Sequence, residues 1–86
     1  MSQFSVGDMV VSLCGHDKGE YFIITGVDGD RVIICDGKRR KAEKKKKKKN
    51  KHVSPTGLSS KIINNLPPFA VDANIRREIK RLREQM

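Results

Sequence analysis

The stretch that decides the fold is GDMVVSLCGHDKGEYFIITGV, residues 7–27. Residues 9–14 are mostly apolar, and residues 21–27 are rich in aromatic and β-branched types, as is typical of β-strands. Between them lies a loop, residues 15–19, with a glycine at each end. The stretch therefore predicts a strand, a tight loop and a second strand.

Further strands follow the second one, separated by turn signals. Asp-Gly pairs at residues 28–29 and 36–37 flank an apolar stretch at 31–35, so the first three strands are expected to form an antiparallel meander. A fourth strand is predicted near residues 38–42, and a short fifth at 52–54, where Pro55 ends it. About five antiparallel strands in so short a chain favour a mainly β fold, a small SH3-like barrel. An OB-like barrel is the main alternative.

The chain changes character after the fifth strand. We predict a barrel over residues 1–57 with an internal lysine-rich loop at about 42–51, a linker over 58–70 and an amphipathic, basic α-helix over 71–86. Ile75, Ile79, Leu82 and Met86 form one apolar stripe of that helix, and its basic residues lie off the stripe. The stripe is expected to dock on the barrel or on a second chain. Alternatively, the basic helix lies against RNA or a partner protein, and the sequence leaves both open.

The charge of the chain is unevenly distributed. Its 86 residues carry a formal charge of +9, with a net of −4 over residues 1–37, +11 over 38–61 and +2 over 62–86. Such a concentrated positive charge makes a polyanion the first partner to consider. Apolar residues make up 36% of the chain and four residues are aromatic. A small aliphatic core of this kind has no room for the deep pocket of a conventional enzyme.

Several classes of protein are disfavoured by what the sequence contains. No stretch has the roughly 20 apolar residues of a membrane-spanning helix, and the first residues do not resemble a signal peptide. We therefore expect a cytoplasmic protein with no membrane partner, in which Cys14 and Cys35 stay reduced. These cysteines, His16 and His52 lack the close pairs of structural zinc sites. No phosphate-binding or catalytic motif is present, so we expect no enzyme activity, cofactor, metal or small-molecule substrate.

Residues 7–27 resemble a KOW motif, with Gly19 at the position of the motif's defining glycine. The resemblance continues through Asp28, the DGK at residues 36–38 and the NKHVSPTG at 50–57. These blocks are similar to the KOW domain of archaeal and eukaryotic large-subunit ribosomal proteins and their small bacterial relatives, and they cover residues 5–57. The resemblance implies an SH3-like barrel that binds RNA, typically ribosomal RNA, through the loop between its first two strands.

Two departures from the family pattern bear on the site. His16 stands where relatives often have arginine, and histidine is at best partly charged at neutral pH. The lysine run is unbroken, whereas relatives tend to interleave proline. We therefore expect a weaker phosphate anchor at residue 16 and a more disordered loop.

Two segments are candidate RNA contacts. The resemblance implies contact by the loop residues Gly15, His16, Asp17, Lys18 and Gly19, where backbone N–H groups at glycines can approach a phosphate and lysine adds charge. The basic run is expected to be mobile when free and to supply affinity with little sequence information, because phosphate contacts position while base contacts specify. Alternatively, it is only a solvated loop. Its candidate residues, with the histidine that follows, are Lys38, Arg39, Arg40, Lys41, Lys44, Lys45, Lys46, Lys47, Lys48, Lys49, Lys51 and His52.

The function expected from these features is non-catalytic RNA binding. The partner is expected to be ribosomal RNA of the large subunit, with ribosomal proteins as further candidate partners. One alternative is a transcription-associated KOW module that contacts RNA polymerase and nascent RNA. Another is a protein-interaction module assembled through the stripe of the C-terminal helix.

Overall fold

A computed structural model of the protein describes residues 4–37, 46–63 and 71–86, which form one five-stranded sheet and one α-helix. All strand pairs are antiparallel, in the order β4-β3-β2-β1-β5. This arrangement confirms the predicted mainly β fold with a C-terminal helix. The elements are β1 (Asp8–Ser12), β2 (Tyr21–Asp28), β3 (Arg31–Cys35), β4 (Lys46–Lys49), a 3₁₀ turn (Asn50–His52), β5 (Val53–Ser59) and α1 (Val71–Arg83).

The 3₁₀ turn joins the two edge strands of the sheet, β4 and β5. In a flat sheet these edges would lie about 19 Å apart, since neighbouring strands are about 4.8 Å apart. Three residues of 3₁₀ helix advance only about 6 Å. The sheet must therefore curl into a barrel-like shape. Hydrogen bonds from Asn50 N–H to the Asp30 carbonyl (2.8 Å) and from Leu13 N–H to the His52 carbonyl (2.9 Å) hold the turn in place.

Side chains of the sheet alternate between the barrel interior and an outer face, part of which α1 covers. On the outer face, Met9, Ile23 and Cys35 pack with Ile75 and Leu82 of the helix. In the described part of the chain, the buried apolar side chains divide between these two faces. The interior cluster is aliphatic with two aromatic rings and consists of Phe4, Val10, Phe22, Ile24, Val32, Ile34 and Val53.

The apolar stripe of α1 docks on the chain's own sheet. Ile75 and Leu82 are buried and Ile79 is partly buried against the sheet, whereas Met86 is 64% exposed. Glu78 fixes the helix further, because its Oε1 accepts a hydrogen bond of 2.6 Å from the Ser60 hydroxyl. Of the alternatives left open by the sequence, docking on the barrel is the one found, and it leaves the basic face of the helix outward.

The turn after β3 is in close contact with the start of α1. Gly37 has a φ of +78°, in the left-handed region that favours glycine. A Cβ there would overlap the Asp72 carbonyl oxygen and the Arg76 side chain. The Arg76 guanidinium donates a hydrogen bond to the Gly37 carbonyl. This glycine therefore lets the helix approach the sheet.

The structure corrects the prediction for the lysine run. Lys46–Lys49 were expected in a mobile loop, yet they form β4, paired with β3. The expectation was wrong because strand alternation sends successive lysines to opposite faces, which separates their charges. The strand predicted near residues 38–42 lies outside the described residues.

The fifth strand is longer than expected. It was predicted to end at Pro55 but continues to Ser59, so the first two residues of the predicted 58–70 linker belong to β5. Proline is tolerated because β5 is an edge strand, where a missing N–H breaks no ladder. The register shifts opposite Met9, whose carbonyl accepts a hydrogen bond of 2.8 Å from the Thr56 hydroxyl. Residues 64–70 lie outside the described part of the chain.

Candidate nucleic-acid interface

The loop between β1 and β2 is closed by backbone hydrogen bonds. Gly19 N–H donates to the Ser12 carbonyl, and Glu20 N–H donates to the Asp17 carbonyl, both at 2.9 Å. Gly15 and Gly19 have φ values of +85° and +86°, which side-chain-bearing residues rarely adopt. A Cβ on Gly19 would meet no atom within 4 Å. The glycine that carries the KOW resemblance therefore serves the backbone conformation of the loop and leaves open space around it.

Asp17 points from this loop into the end of the barrel. Its Oδ1 accepts hydrogen bonds from the Ser12 hydroxyl (2.7 Å) and from Lys48 Nζ (2.8 Å), and its Oδ2 accepts one from Lys46 Nζ (3.1 Å). Lys48 Nζ also donates to the Ser12 hydroxyl and to the Cys14 carbonyl (2.8 Å). Asp17 is 8% exposed and Lys48 is 6% exposed. A buried ion pair therefore joins the glycine-bounded loop to the lysine strand.

The pairing of β4 with β3 explains why Lys48 faces the barrel interior. Lys48 lies opposite Val32, whose side chain is in the barrel interior, so the two side chains share a face. Lys47 and Lys49 point to the outer face and are exposed. Lys49 lies directly opposite the exposed Arg31, which places two cations side by side.

The ion pairs control the charge state of Asp17. Burial alone raises the pKa of its carboxyl, but hydrogen bonds from Lys48, Ser12 and Lys46 outweigh burial and hold the pKa well below its ordinary value of 3.8. The carboxylate is therefore charged at neutral pH and is neutralised by two lysines. Asp17 lies in the loop that was predicted to bind phosphate, but its carboxylate faces the two lysines and not an incoming phosphate.

The outer face has an ion pair of a different kind. Lys47 Nζ lies 3.0 Å from Asp28 Oδ2, and both side chains are more than half exposed. The hydrogen bond from Lys47 lowers the pKa of Asp28. Exposed pairs of this kind contribute little to stability, so Lys47 remains available to another anion.

The structure brings many of the predicted site residues to the two joined segments. The buried members are Asp17 and Lys48, and the half-buried ones are Lys46 and His52. The exposed members are Gly15, His16, Lys18, Gly19, Lys47, Lys49 and Lys51. The predicted contacts Lys38, Arg39, Arg40, Lys41, Lys44 and Lys45 lie outside the described residues.

Sequence reasoning missed Ser12 as part of this site. It is 1% exposed and lies opposite Val53 of the interior cluster. A hydroxyl at an inward strand position needs a hydrogen-bond partner, and that requirement is a signal that the sequence contained. Which lysine supplies the partner is visible only in the structure.

A groove of about 740 Å³ lies beside this interface, between α1 and the start of β2. The Arg83 guanidinium lies over the ring of Tyr21, 4.9 Å from its centroid. Tyr21 comes two residues after Gly19, so the groove begins where the glycine-bounded loop ends. Its lining combines both signs of charge with apolar surface and consists of Glu20, Tyr21, Asp36, Arg76, Arg77, Ile79, Lys80, Arg83 and Glu84.

Other kinds of site have no counterpart among the described residues. Across residues 4–37, 46–63 and 71–86, no three His, Cys, Asp or Glu side chains are grouped so as to hold a metal ion. Cys14 and Cys35 are not joined by a disulfide. No helix within those ranges is long and apolar enough to cross a bilayer.

Comparisons with models of known protein families and with characterised proteins give no match. The KOW resemblance of residues 5–57 therefore stays a prediction. What is established is the fold and the geometry of the two joined segments.

Proposed function

We propose that this chain is a non-catalytic RNA-binding protein that contacts RNA through the loop at residues 15–19 and through β4. One observation carries the proposal: Asp17 pairs with Lys46 and Lys48 at 3.1 and 2.8 Å. These pairs join two segments that are about 30 residues apart in the sequence and that were each predicted to contact RNA. The exposed cations on both sides of the junction can then act on one polyanion.

The exposed cations of the loop, β4 and the 3₁₀ turn support a phosphate-rich partner. Lys18, Lys49 and Lys51 are exposed, and Lys47 is held only by an exposed ion pair. Like charges directly opposite on neighbouring strands, as at Arg31 and Lys49, reduce the stability of a sheet. A bound phosphate would relieve that repulsion.

More specifically, we propose that the bound RNA is ribosomal RNA of the large subunit, and that the protein is cytoplasmic with ribosomal proteins as its neighbours. It is supported by the ordered KOW-like blocks in residues 5–57. A transcription-associated module remains the second candidate on the same blocks. Assembly through the helix stripe has less support, because Ile75 and Leu82 are already buried against the chain's own sheet.

Direct RNA binding is tested with a blunt, fully paired RNA duplex whose affinity is measured over a range of salt concentrations. We expect the logarithm of the affinity to fall linearly with that of the salt concentration, by about 0.9 per phosphate contact. The double variant Lys49→Gln, Lys51→Gln should reduce this slope by about 2.

A second double variant, Lys61→Gln, Arg81→Gln, is the matched control, since it removes the same charge from exposed positions outside the loop, β4 and the groove between α1 and β2. It should leave the slope nearly unchanged. Equal effects of the two variants would mean that net charge alone drives binding, and no binding at low salt would remove the proposal.

Association with the ribosome is tested by sedimentation of cell extracts through a sucrose gradient. The proposal predicts comigration with the large ribosomal subunit at low salt and release at high salt. Comigration with RNA polymerase instead would favour the transcription-associated alternative.

A further inference from the structure

The groove between α1 and β2 combines apolar, cationic and acidic side chains, and none of them belongs to the proposed phosphate contacts of the barrel. Its lining includes the Tyr21 ring and the Ile79 side chain, and the arginines and the lysine that line it all belong to α1. Three carboxylates line the same groove: Glu20, Asp36 and Glu84. A bare duplex backbone suits such a lining poorly, because these acids repel phosphates.

A nucleotide satisfies both signs of charge at once. Its phosphate is an acceptor for arginine and lysine, while the amino group of adenine or cytosine donates hydrogen bonds to carboxylates. Its flat base stacks on aromatic rings and on guanidinium planes. The lining therefore fits an unpaired nucleotide better than it fits a polyanion without accessible bases.

We propose that this groove takes up an unpaired nucleotide of the RNA bound by the barrel, with its base stacked on Tyr21. The inference rests on the proposed function, since the loop at residues 15–19 would deliver the RNA to the groove. Tyr21 follows that loop by two residues, which makes the two surfaces continuous.

The base takes the position of the Arg83 guanidinium over the ring. Stacking of a base on an aromatic ring contributes more than a solvent-exposed cation–π pair, so the exchange is favourable. The displaced Arg83, which is exposed, can then pair with the nucleotide's phosphate. Arg76 is already tied to the Gly37 carbonyl, so Arg77 and Lys80 are the other cations free to approach it.

The sequence provides a selective reporter for this event. Tyr21 is the only tyrosine and the chain has no tryptophan, so intrinsic fluorescence reports on this ring alone. The probes are a blunt RNA duplex, the same duplex with a single bulged adenosine, and free adenosine 5′-monophosphate. We expect both duplexes to bind, the bulged one about tenfold more tightly, and only the bulged one to quench Tyr21 emission.

Variants separate stacking from support of the fold. Tyr21→Leu should abolish the roughly tenfold preference for the bulged duplex, and Tyr21→Phe, which keeps the ring, should retain it. Because the preference is a ratio within one variant, partial loss of folding lowers both affinities and leaves the ratio interpretable. Arg83→Gln should retain the quenching and weaken the preference by about threefold.

The outcomes distinguish this inference from the proposed function. Equal binding of both duplexes with unchanged Tyr21 emission would overturn the nucleotide site and leave RNA binding intact. Quenching by free adenosine 5′-monophosphate as strong as that by the bulged duplex would assign the groove to a free nucleotide and overturn the inference. Failure of either duplex to bind would overturn both proposals.

Discussion

Replacing Lys48 with methionine tests the ion pair that holds the glycine-bounded loop against β4. The lysine is 6% exposed and donates hydrogen bonds to Asp17, Ser12 and the Cys14 carbonyl. Removing one partner of a buried pair costs about 3–5 kcal/mol, because the other charge stays buried. Asp17 would keep Lys46 as a partner, so we expect the lower end, about 3 kcal/mol of unfolding free energy.

Lys47→Met is the matched control, since it makes the same substitution one residue earlier in the same strand. Lys47 and its partner Asp28 are both exposed, and such pairs contribute at most about 1 kcal/mol. Urea unfolding followed by far-UV circular dichroism measures both variants. With a slope of about 1–1.5 kcal/mol per molar urea, the Lys48→Met midpoint should fall by about 2–3 M.

Equal losses of unfolding free energy in the two variants would contradict the burial of Lys48. A cost below about 1 kcal/mol for Lys48→Met, the range of an exposed pair, would contradict it as well. Either result would mean that β4 does not bury this lysine.

Three further changes have outcomes that follow from the structure. Because its ion pairs hold the pKa of Asp17 below 3.8, only the unfolded chain takes up this proton below about pH 4, so the unfolding free energy should stay level from neutral pH to about pH 5 and fall below about pH 4. Asp17→Asn should flatten that fall in urea titrations, and an unchanged slope would assign the fall to other carboxyls. Gly37→Ala should lower the unfolding free energy by about 2–4 kcal/mol in the same assay, since the new Cβ meets the helix, whereas Gly19→Ala should lower it by about 1 kcal/mol from backbone strain alone. Equal losses of unfolding free energy would contradict the close approach of α1. Lys49→Glu should raise the unfolding free energy by about 0.5 kcal/mol, because the new carboxylate pairs with Arg31, and it should lower the affinity for the RNA duplex. A loss of stability would contradict the register of β3 and β4.

The strands of the meander were predictable because they depend on local patterns. The apolar runs that precede the Asp-Gly pairs at residues 28–29 and 36–37 correspond to β2 and β3 as observed. The stripe of Ile75, Ile79 and Leu82 likewise identified the docking face of α1. These features are set by residue type and spacing, which a sequence displays directly.

The polar interior was not predictable in the same way. Six consecutive lysines are identical in composition and propensity, so no pattern distinguishes Lys48 from its neighbours. Its burial depends on the position of Asp17 and Ser12, which only the curled sheet brings within hydrogen-bond distance. The groove beside Tyr21 depends in the same way on how α1 docks, which combines residues more than 50 positions apart.

The lysine strand has a consequence for how this chain tolerates mutation. The run at residues 44–49 has six lysines, and β4 uses the last four, counted back from Asn50. Deleting one or two lysine codons leaves all four strand positions as lysine, so the residue that meets Asp17 is unchanged. In an ordinary strand a one-residue deletion reverses every side chain. Here the repeat itself protects the register of β4.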